Sequence, residues 1–118
     1  MATPFYPYPT LEKDGYELAV VEQGDSRRVI AAPLVSDEER FAAKPGDIVK
    51  LIFEYREAEG TMNGEAVGAE HMWVEITDYG DGCLIGQLDN SPQFTTLLKS
   101  DDVLSFHPKH IIAFSMDK

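Results

Sequence analysis

Residues 70–92 read E-H-M-W-V-E-I-T-D-Y-G-D-G-C-L-I-G-Q-L-D-N-S-P. Two apolar-rich runs, 70–77 and 83–89, are separated by Asp78-Tyr79-Gly80-Asp81-Gly82, a cluster of turn-forming residues. That pattern predicts a β-hairpin. Pairing Thr77 with Cys83 sets Ile76 opposite Leu84, Val74 opposite Gly86 and Met72 opposite Leu88. Side chains alternate along a strand, so these six share one face, the core face. The opposite face then carries Thr77 with Cys83, Glu75 with Ile85, Trp73 with Gln87 and His71 with Asp89. A slip of one residue would turn Glu75 and His71 inward, which disfavours the other parity. Gly86 beside Val74 predicts a bulge or a close approach of main chain. Asp89-Asn90-Ser91-Pro92 ends the second strand, because Asp, Asn and Ser form local turns and Pro cannot extend a ladder.

Outward from the hairpin, Asp47 to Arg56 (D-I-V-K-L-I-F-E-Y-R) alternates with period two. Val49, Leu51, Phe53 and Tyr55 form an apolar face, and Ile48, Lys50, Ile52 and Glu54 a mixed one. Ser36-Asp37-Glu38-Glu39 has capping-box spacing and predicts a short helix over 37–43, anchored by Phe41 and stopped by Pro45. Strands are expected at 16–22 and 27–32 around a turn at 23–26. Residues 57–69, rich in Gly, Glu and Ala, are expected as a mobile acidic loop. Residues 93–98 fit either a strand or a helical turn. Lys99-Ser100-Asp101-Asp102 and the strand after it echo Lys44-Pro45-Gly46-Asp47 and its strand. Residues 107–110 form a turn before a last strand at 111–114. The expected fold is mainly β with an α+β arrangement as the alternative: a strongly bent antiparallel sheet or small SH3-like barrel with one short helix.

E-x-M-W-V-E over Glu70–Glu75 and G-x-L-D-N-x-P over Gly86–Pro92 stand at a fixed spacing from K-P-G-D-x-V-K-L-x-F at 44–53 and from Phe106, Pro108, His110 and Ile111. In this combination the chain resembles the YegJ-like bacterial family of unknown function. The resemblance implies a small soluble bacterial domain and assigns no reaction. Asp101 stands where the second copy of the turn pattern would have Gly, which predicts a looser turn there.

The chain has 118 residues, enough for one core without disulfide or metal staples. Residues 1–10, M-A-T-P-F-Y-P-Y-P-T, form a proline and aromatic arm in front of a single domain over 11–118. The lone cysteine, Cys83, forbids an internal disulfide. With no signal-peptide pattern and no apolar run of membrane-spanning length, the expected location is cytoplasmic.

The formal charge of −11 argues against nucleic acid and anionic membranes, and for basic partners or cations. No Lys or Arg occurs between Gly60 and Leu98, whereas Glu65, Glu70, Glu75, Asp78, Asp81 and Asp89 do. Acidic composition also serves solubility alone. Candidate binding residues are His71, Trp73, Glu75, Gln87, Asp89 and Asn90. A Trp ringed by polar groups is a typical contact anchor, the alternative being a Trp covered by the N-terminal arm or the 57–69 loop.

Catalytic signatures are weak. There is no G-x-S-x-G or H-E-x-x-H motif, and the spacing of His71, His107 and His110 matches no usual zinc pattern. Neither a cofactor nor a metal is expected. The leading expectation is a binding module that presents an acidic, Trp-bearing hairpin face to a basic protein, in the manner of an immunity or inhibitor protein. The alternative is a small-molecule- or metal-dependent enzyme using His71, Glu75 and Asp89 on the concave side of the sheet.

Overall fold

The structure is a computed structural model and describes residues 8–20, 35–57, 61–62, 64–66, 68–80, 82–89 and 97–115. A one-turn helix α1 (Leu11–Asp14) precedes strand β1 (Tyr16–Leu18), and helix α2 spans Asp37–Phe41. Then come β2 (Ile48–Tyr55), a small ribbon of β3 (Thr61–Met62) and β4 (Glu65–Ala66), and the long hairpin β5 (Ala69–Gly80) and β6 (Cys83–Leu88). Strand β7 (Val103–Phe106), a 3-10 turn (Pro108–His110) and β8 (Ile111–Phe114) complete the order. The ribbon places two short paired strands inside the stretch 57–69, where a loop is expected. The expected hairpin partner at 27–32, Asn90 and most of 93–98 lie outside the described residues. No helix among the described residues is long and apolar enough to cross a membrane.

The main sheet is antiparallel in the order β1-β2-β5-β6-β7. β8 shares the outer edge of β2 with β1, pairing residues 49–51 while β1 pairs 53–55. The sheet curls into a half-barrel. Tyr16 of β1 has its hydroxyl pKa pushed up to about 12, by burial first and then by the carboxylates of Asp14 and Asp102. The inner side is filled by Val49, Leu51, Phe53 and Tyr55 of β2, Met72, Val74 and Ile76 of β5, Leu84 and Leu88 of β6, and Leu104 and Phe106 of β7. Full burial of each large side chain contributes about 1.5–3 kcal/mol. A smaller cluster of Ala19, Ile52 and Ile112 lies apart from this core.

The faces of the hairpin are those the alternation predicts, but the register is not. Val74 pairs with Leu88, Glu75 with Gln87 and Ile76 with Gly86; after a bulge at Thr77, Asp78 pairs with Ile85, Tyr79 with Leu84 and Gly80 with Cys83. Relative to the expected pairing the strands are shifted by two residues up to Ile76–Gly86, which preserves parity and hence the core face, and by three residues beyond the bulge. The physical reason lies at the turn. Asp81-Gly82 alone connects the strands, and Gly82 takes a φ of 74°. Asp-Gly is the preferred two-residue hairpin loop, so β5 continues through Asp78-Tyr79-Gly80 and the bulge absorbs the extra residue.

The hairpin is flanked by two equivalent turn–strand units. Gly46 N–H donates to Ile76 O and Ile76 N–H to Asp47 O; Asp101 N–H donates to Leu88 O and Leu88 N–H to Asp102 O, all at 2.8 Å. Lys44 N–H donates to Asp47 Oδ2 (3.1 Å) and Lys99 N–H to Asp102 Oδ2 (2.9 Å). The strand pairs Val49–Val74, Lys50–Trp73 and Leu51–Met72 correspond to Leu104–Gly86, Ser105–Ile85 and Phe106–Leu84. The two units are thus related by a local two-fold through the Glu75–Gln87 pair. Asp101 does not loosen its turn. It adopts a φ of 76° in the place of Gly46 (φ 100°) and makes the same hydrogen bonds.

Candidate functional site

The outer face of the hairpin brings four of the expected binding residues together around the local two-fold. Glu75 is paired on one side with Ile48 and on the other with Gln87, which pairs in turn with Val103. Trp73 pairs with Lys50, and its carbonyl accepts Asp89 N–H at 2.9 Å. Two cross-strand rows result, Ile48–Glu75–Gln87–Val103 and Lys50–Trp73–Asp89. These replace the expected pairs Trp73–Gln87 and Glu75–Ile85, as the two-residue shift requires. Glu75 and Asp89 are exposed, whereas Gln87 is half-buried and donates through Nε2 to Asp101 O at 3.2 Å. His71 lies further along β5 opposite Ile52, exposed, its pKa lowered by partial desolvation first and by the Lys50 cation second.

Trp73 is half-buried, and the Lys50 ammonium sits 4.7 Å from the centroid of its ring. The negative face of an indole attracts such a cation. Sequence reasoning placed Lys50 on the mixed face of β2 without linking it to Trp73. The link needs the β2–β5 register, which single-strand periodicity does not supply.

The enzyme alternative placed His71, Glu75 and Asp89 on the concave side. The structure puts them on the outer side, because the inner side is occupied by the core. Among the described residues no three of His, Cys, Asp and Glu come together as a metal site.

A second group of polar and aromatic side chains gathers at the hairpin tip. The capping box forms as expected: Glu39 N–H donates to Ser36 Oγ (3.1 Å) and Ser36 N–H to Glu39 Oε1 (3.3 Å). The anchor of α2, however, is not Phe41, which is 56% exposed, but Arg40, which is fully buried. Arg40 Nε donates to Ile111 O at 2.8 Å, and Nη1 pairs with Asp37 Oδ1 at 3.0 Å. This stitches the helix to the start of β8. The carboxylate of Asp37 also reaches Lys109 Nζ at 3.7 Å. Nothing in the D-E-E-R-F run distinguishes a buried Arg from a solvated one, since its partner is a main-chain carbonyl 71 residues away.

The 3-10 turn beside Arg40 carries a second reciprocal cap, made of two histidines. Lys109 N–H donates to His107 Nδ1 (3.1 Å) and His107 N–H to His110 Nδ1 (2.9 Å). Both rings therefore carry their protons on Nε2 when neutral. His110 is buried, and its pKa falls to about 4 through desolvation, then the neighbouring His107 and Arg40. That of His107 is lowered by desolvation and by the Lys109 cation. Tyr8 packs edge-on against both rings, at 6.1 and 5.3 Å between centroids, and its hydroxyl donates to Gly82 O at 3.0 Å.

Between α2, the hairpin tip and the 3-10 turn lies an open cleft of about 300 Å³. Cys83, paired with Gly80 rather than with Thr77, is half-buried in its wall.

Fold and site together define a small half-barrel β domain with an exposed acidic hairpin face and, at the hairpin tip, a cleft that no charged side chain lines among the described residues. Over residues 17–116 the sequence matches the family described as an uncharacterized protein conserved in bacteria (DUF2314), and the chain belongs to that family. No curated protein and no solved structure matches it.

Proposed function

We propose that this domain is a cytoplasmic, non-catalytic binding module whose outer hairpin face engages a basic protein partner, as an immunity or inhibitor protein masks a cationic surface. The spaced motifs at 44–53, 70–75 and 86–92 further favour a YegJ-like member of the family. The reading is carried by one arrangement: the Trp73 ring holds the Lys50 ammonium at 4.7 Å, with the exposed carboxylate of Asp89 in the same row and that of Glu75 in the adjoining one. Lys50 is a prototype, within the chain, of the group a partner would present. An arginine or lysine set against the same ring gains cation–π attraction and adjacent carboxylates in one contact. The absence of Lys and Arg from Gly60 to Leu98 leaves the hairpin's own sequence without a competing base. Steering by a −11 chain would speed the encounter and make it salt-dependent.

The test is affinity capture from bacterial lysate on wild type and on the double variant Trp73→Ala/Glu75→Lys. A basic protein held at low salt, released at high salt and lost from a double variant of unchanged melting temperature is the expected result. Equal capture on both baits would overturn the reading. Lys50→Ala removes the intramolecular competitor and is expected to tighten binding of the captured partner, as read by titration calorimetry.

A further inference from the structure

The cleft at the hairpin tip differs in kind from the rest of the surface. Phe41 and Tyr79 stand in its wall while remaining 56% and 59% exposed, and Leu84 and Pro108 extend the apolar lining. Among the described residues no Asp, Glu, Lys or Arg lines it, although the whole chain carries a formal charge of −11. Its polar groups are neutral or weak: main chain, the Tyr79 hydroxyl, the Cys83 thiol and the His107 ring. Because His107 Nδ1 accepts Lys109 N–H, the donor this ring can offer is Nε2–H. The chain itself supplies an example of what this corner accepts. The phenol ring of Tyr8 packs edge-on against His107 and His110 while its hydroxyl bonds Gly82 O.

From this geometry we propose that the cleft is a binding site for a small, flat, uncharged aromatic molecule carrying a hydrogen-bond acceptor, its ring against Phe41 and Tyr79 and its acceptor on His107. The volume lies at the lower end of ligand-pocket sizes, so the ligand is of fragment size. Among the described lining residues an anion would meet no base to offset the field of an acidic chain, and a cation would meet no carboxylate. This site is separate from the Trp73 face, and its failure would leave the reading of that face unchanged.

Quinoline is a suitable probe, being uncharged at neutral pH with one ring-nitrogen acceptor; quinoline-6-carboxylate is its anionic counterpart. Titrated into the full-length 15N-labelled protein, quinoline is expected to give saturable amide shifts confined to Gly80, Gly82, Cys83, Leu84 and His107. For about ten heavy atoms the Kd should be about 0.1–1 mM. The carboxylate should bind at least about tenfold more weakly, a difference of about 1.4 kcal/mol. Phe41→Ala and Tyr79→Ala should each weaken binding several-fold; Tyr79→Ala should leave the melting temperature unchanged, whereas Phe41→Ala also removes an edge-on contact with His107 (5.5 Å between centroids) and should lower it slightly. Shifts that do not saturate or that scatter over the surface would overturn the proposal. So would equal binding of the carboxylate, or unchanged affinity in both alanine variants.

Discussion

Residues 44–51 and 99–106 make the same main-chain hydrogen bonds to the two strands of one hairpin, yet they are finished differently. The first turn uses Gly46 at φ 100°, the second Asp101 at φ 76°. The first strand, β2, is flanked on its outer edge by β1 and β8, whereas the second, β7, is the end strand of the sheet path. Across the local two-fold, Val74 corresponds to Gly86. A Cβ on Gly86 would stand 2.5 Å from Val74 Cγ1, 2.9 Å from Glu75 O and 3.0 Å from Phe106 Cε1. A side chain at 86 would thus meet both Val74 and the main chain at Glu75, which leaves glycine at 86 opposite valine at its twin position. Symmetry of hydrogen bonding is thus compatible with asymmetry of packing, and the asymmetry is concentrated where the halves touch.

The largest effect should follow from breaking that asymmetry. Gly86→Val is expected to cost about 3 kcal/mol or more, since main chain at Glu75 blocks the new side chain as well as Val74. Urea denaturation should show it, and adding Val74→Ala should restore only part of the loss. Next is the acid sensitivity of the corner that secures β8, a corner the β7 side lacks. His110 has a pKa of about 4 when folded and about 6.5 when unfolded, so below pH 6.5 the unfolded chain binds the extra proton. Stability therefore falls as pH drops from about 6.5 to about 4, by about 3 kcal/mol from this group, and is retained above that window. The titratable and charged groups beside it are His107, Arg40 and Tyr8, with Asp37 paired to Arg40 and Lys109 behind them, and the lowered pKa of His107 acts in the same direction. Denaturation followed against pH should flatten in His110→Gln; an equally steep profile in that variant would assign the acid sensitivity elsewhere.

A smaller effect sharpens the turn comparison directly. Asp101→Gly should stabilise by about 1 kcal/mol, because an L-residue in the left-handed region carries a steric cost that glycine avoids, and Gly46→Asp should destabilise by a similar amount. Melting temperatures moving in opposite directions would establish the equivalence of the two turns. The smallest effect belongs to the twin ion pairs, Lys44–Asp47 at 3.7 Å and Lys99–Asp102 at 3.2 Å, whose lysine side chains are largely exposed. Either lysine changed to Ala should alter stability by no more than about 0.5 kcal/mol. The carboxylates hold the turns through main-chain N–H groups instead.

The same comparison marks what could be read from the amino-acid order. The two turn–strand units were legible because Lys-x-x-Asp before alternating apolar residues is a local pattern, and the core face of the hairpin was legible because alternation survives a shift of two. The register was not, because the bulge at Thr77 and the two-residue Asp-Gly loop together change the pairing without changing the face. In α2 the cap was legible from Ser36 and Glu39, whereas the exchange of roles between Phe41 and Arg40 depends on the Ile111 carbonyl, which only the fold delivers. At the candidate site, Trp73, Glu75, Gln87 and Asp89 were legible as one outward face; the cation over Trp73 and the histidine cap were not, since each joins elements through pairing or turn geometry.

The edge shared by β1 and β8 has a kinetic consequence. The hairpin closes across the loop at 81–82, but Leu51 meets Ile111 and Val49 meets Phe114 only after most of the chain has been drawn in. Closure entropy grows with loop length and must be met before such contacts contribute, so the hairpin is the natural nucleus and docking of β8 a late event. Arg40, which ties α2 to the first residue of that late strand, then acts as a latch on unfolding rather than an aid to folding: its loss should speed unfolding and leave the refolding rate nearly unchanged.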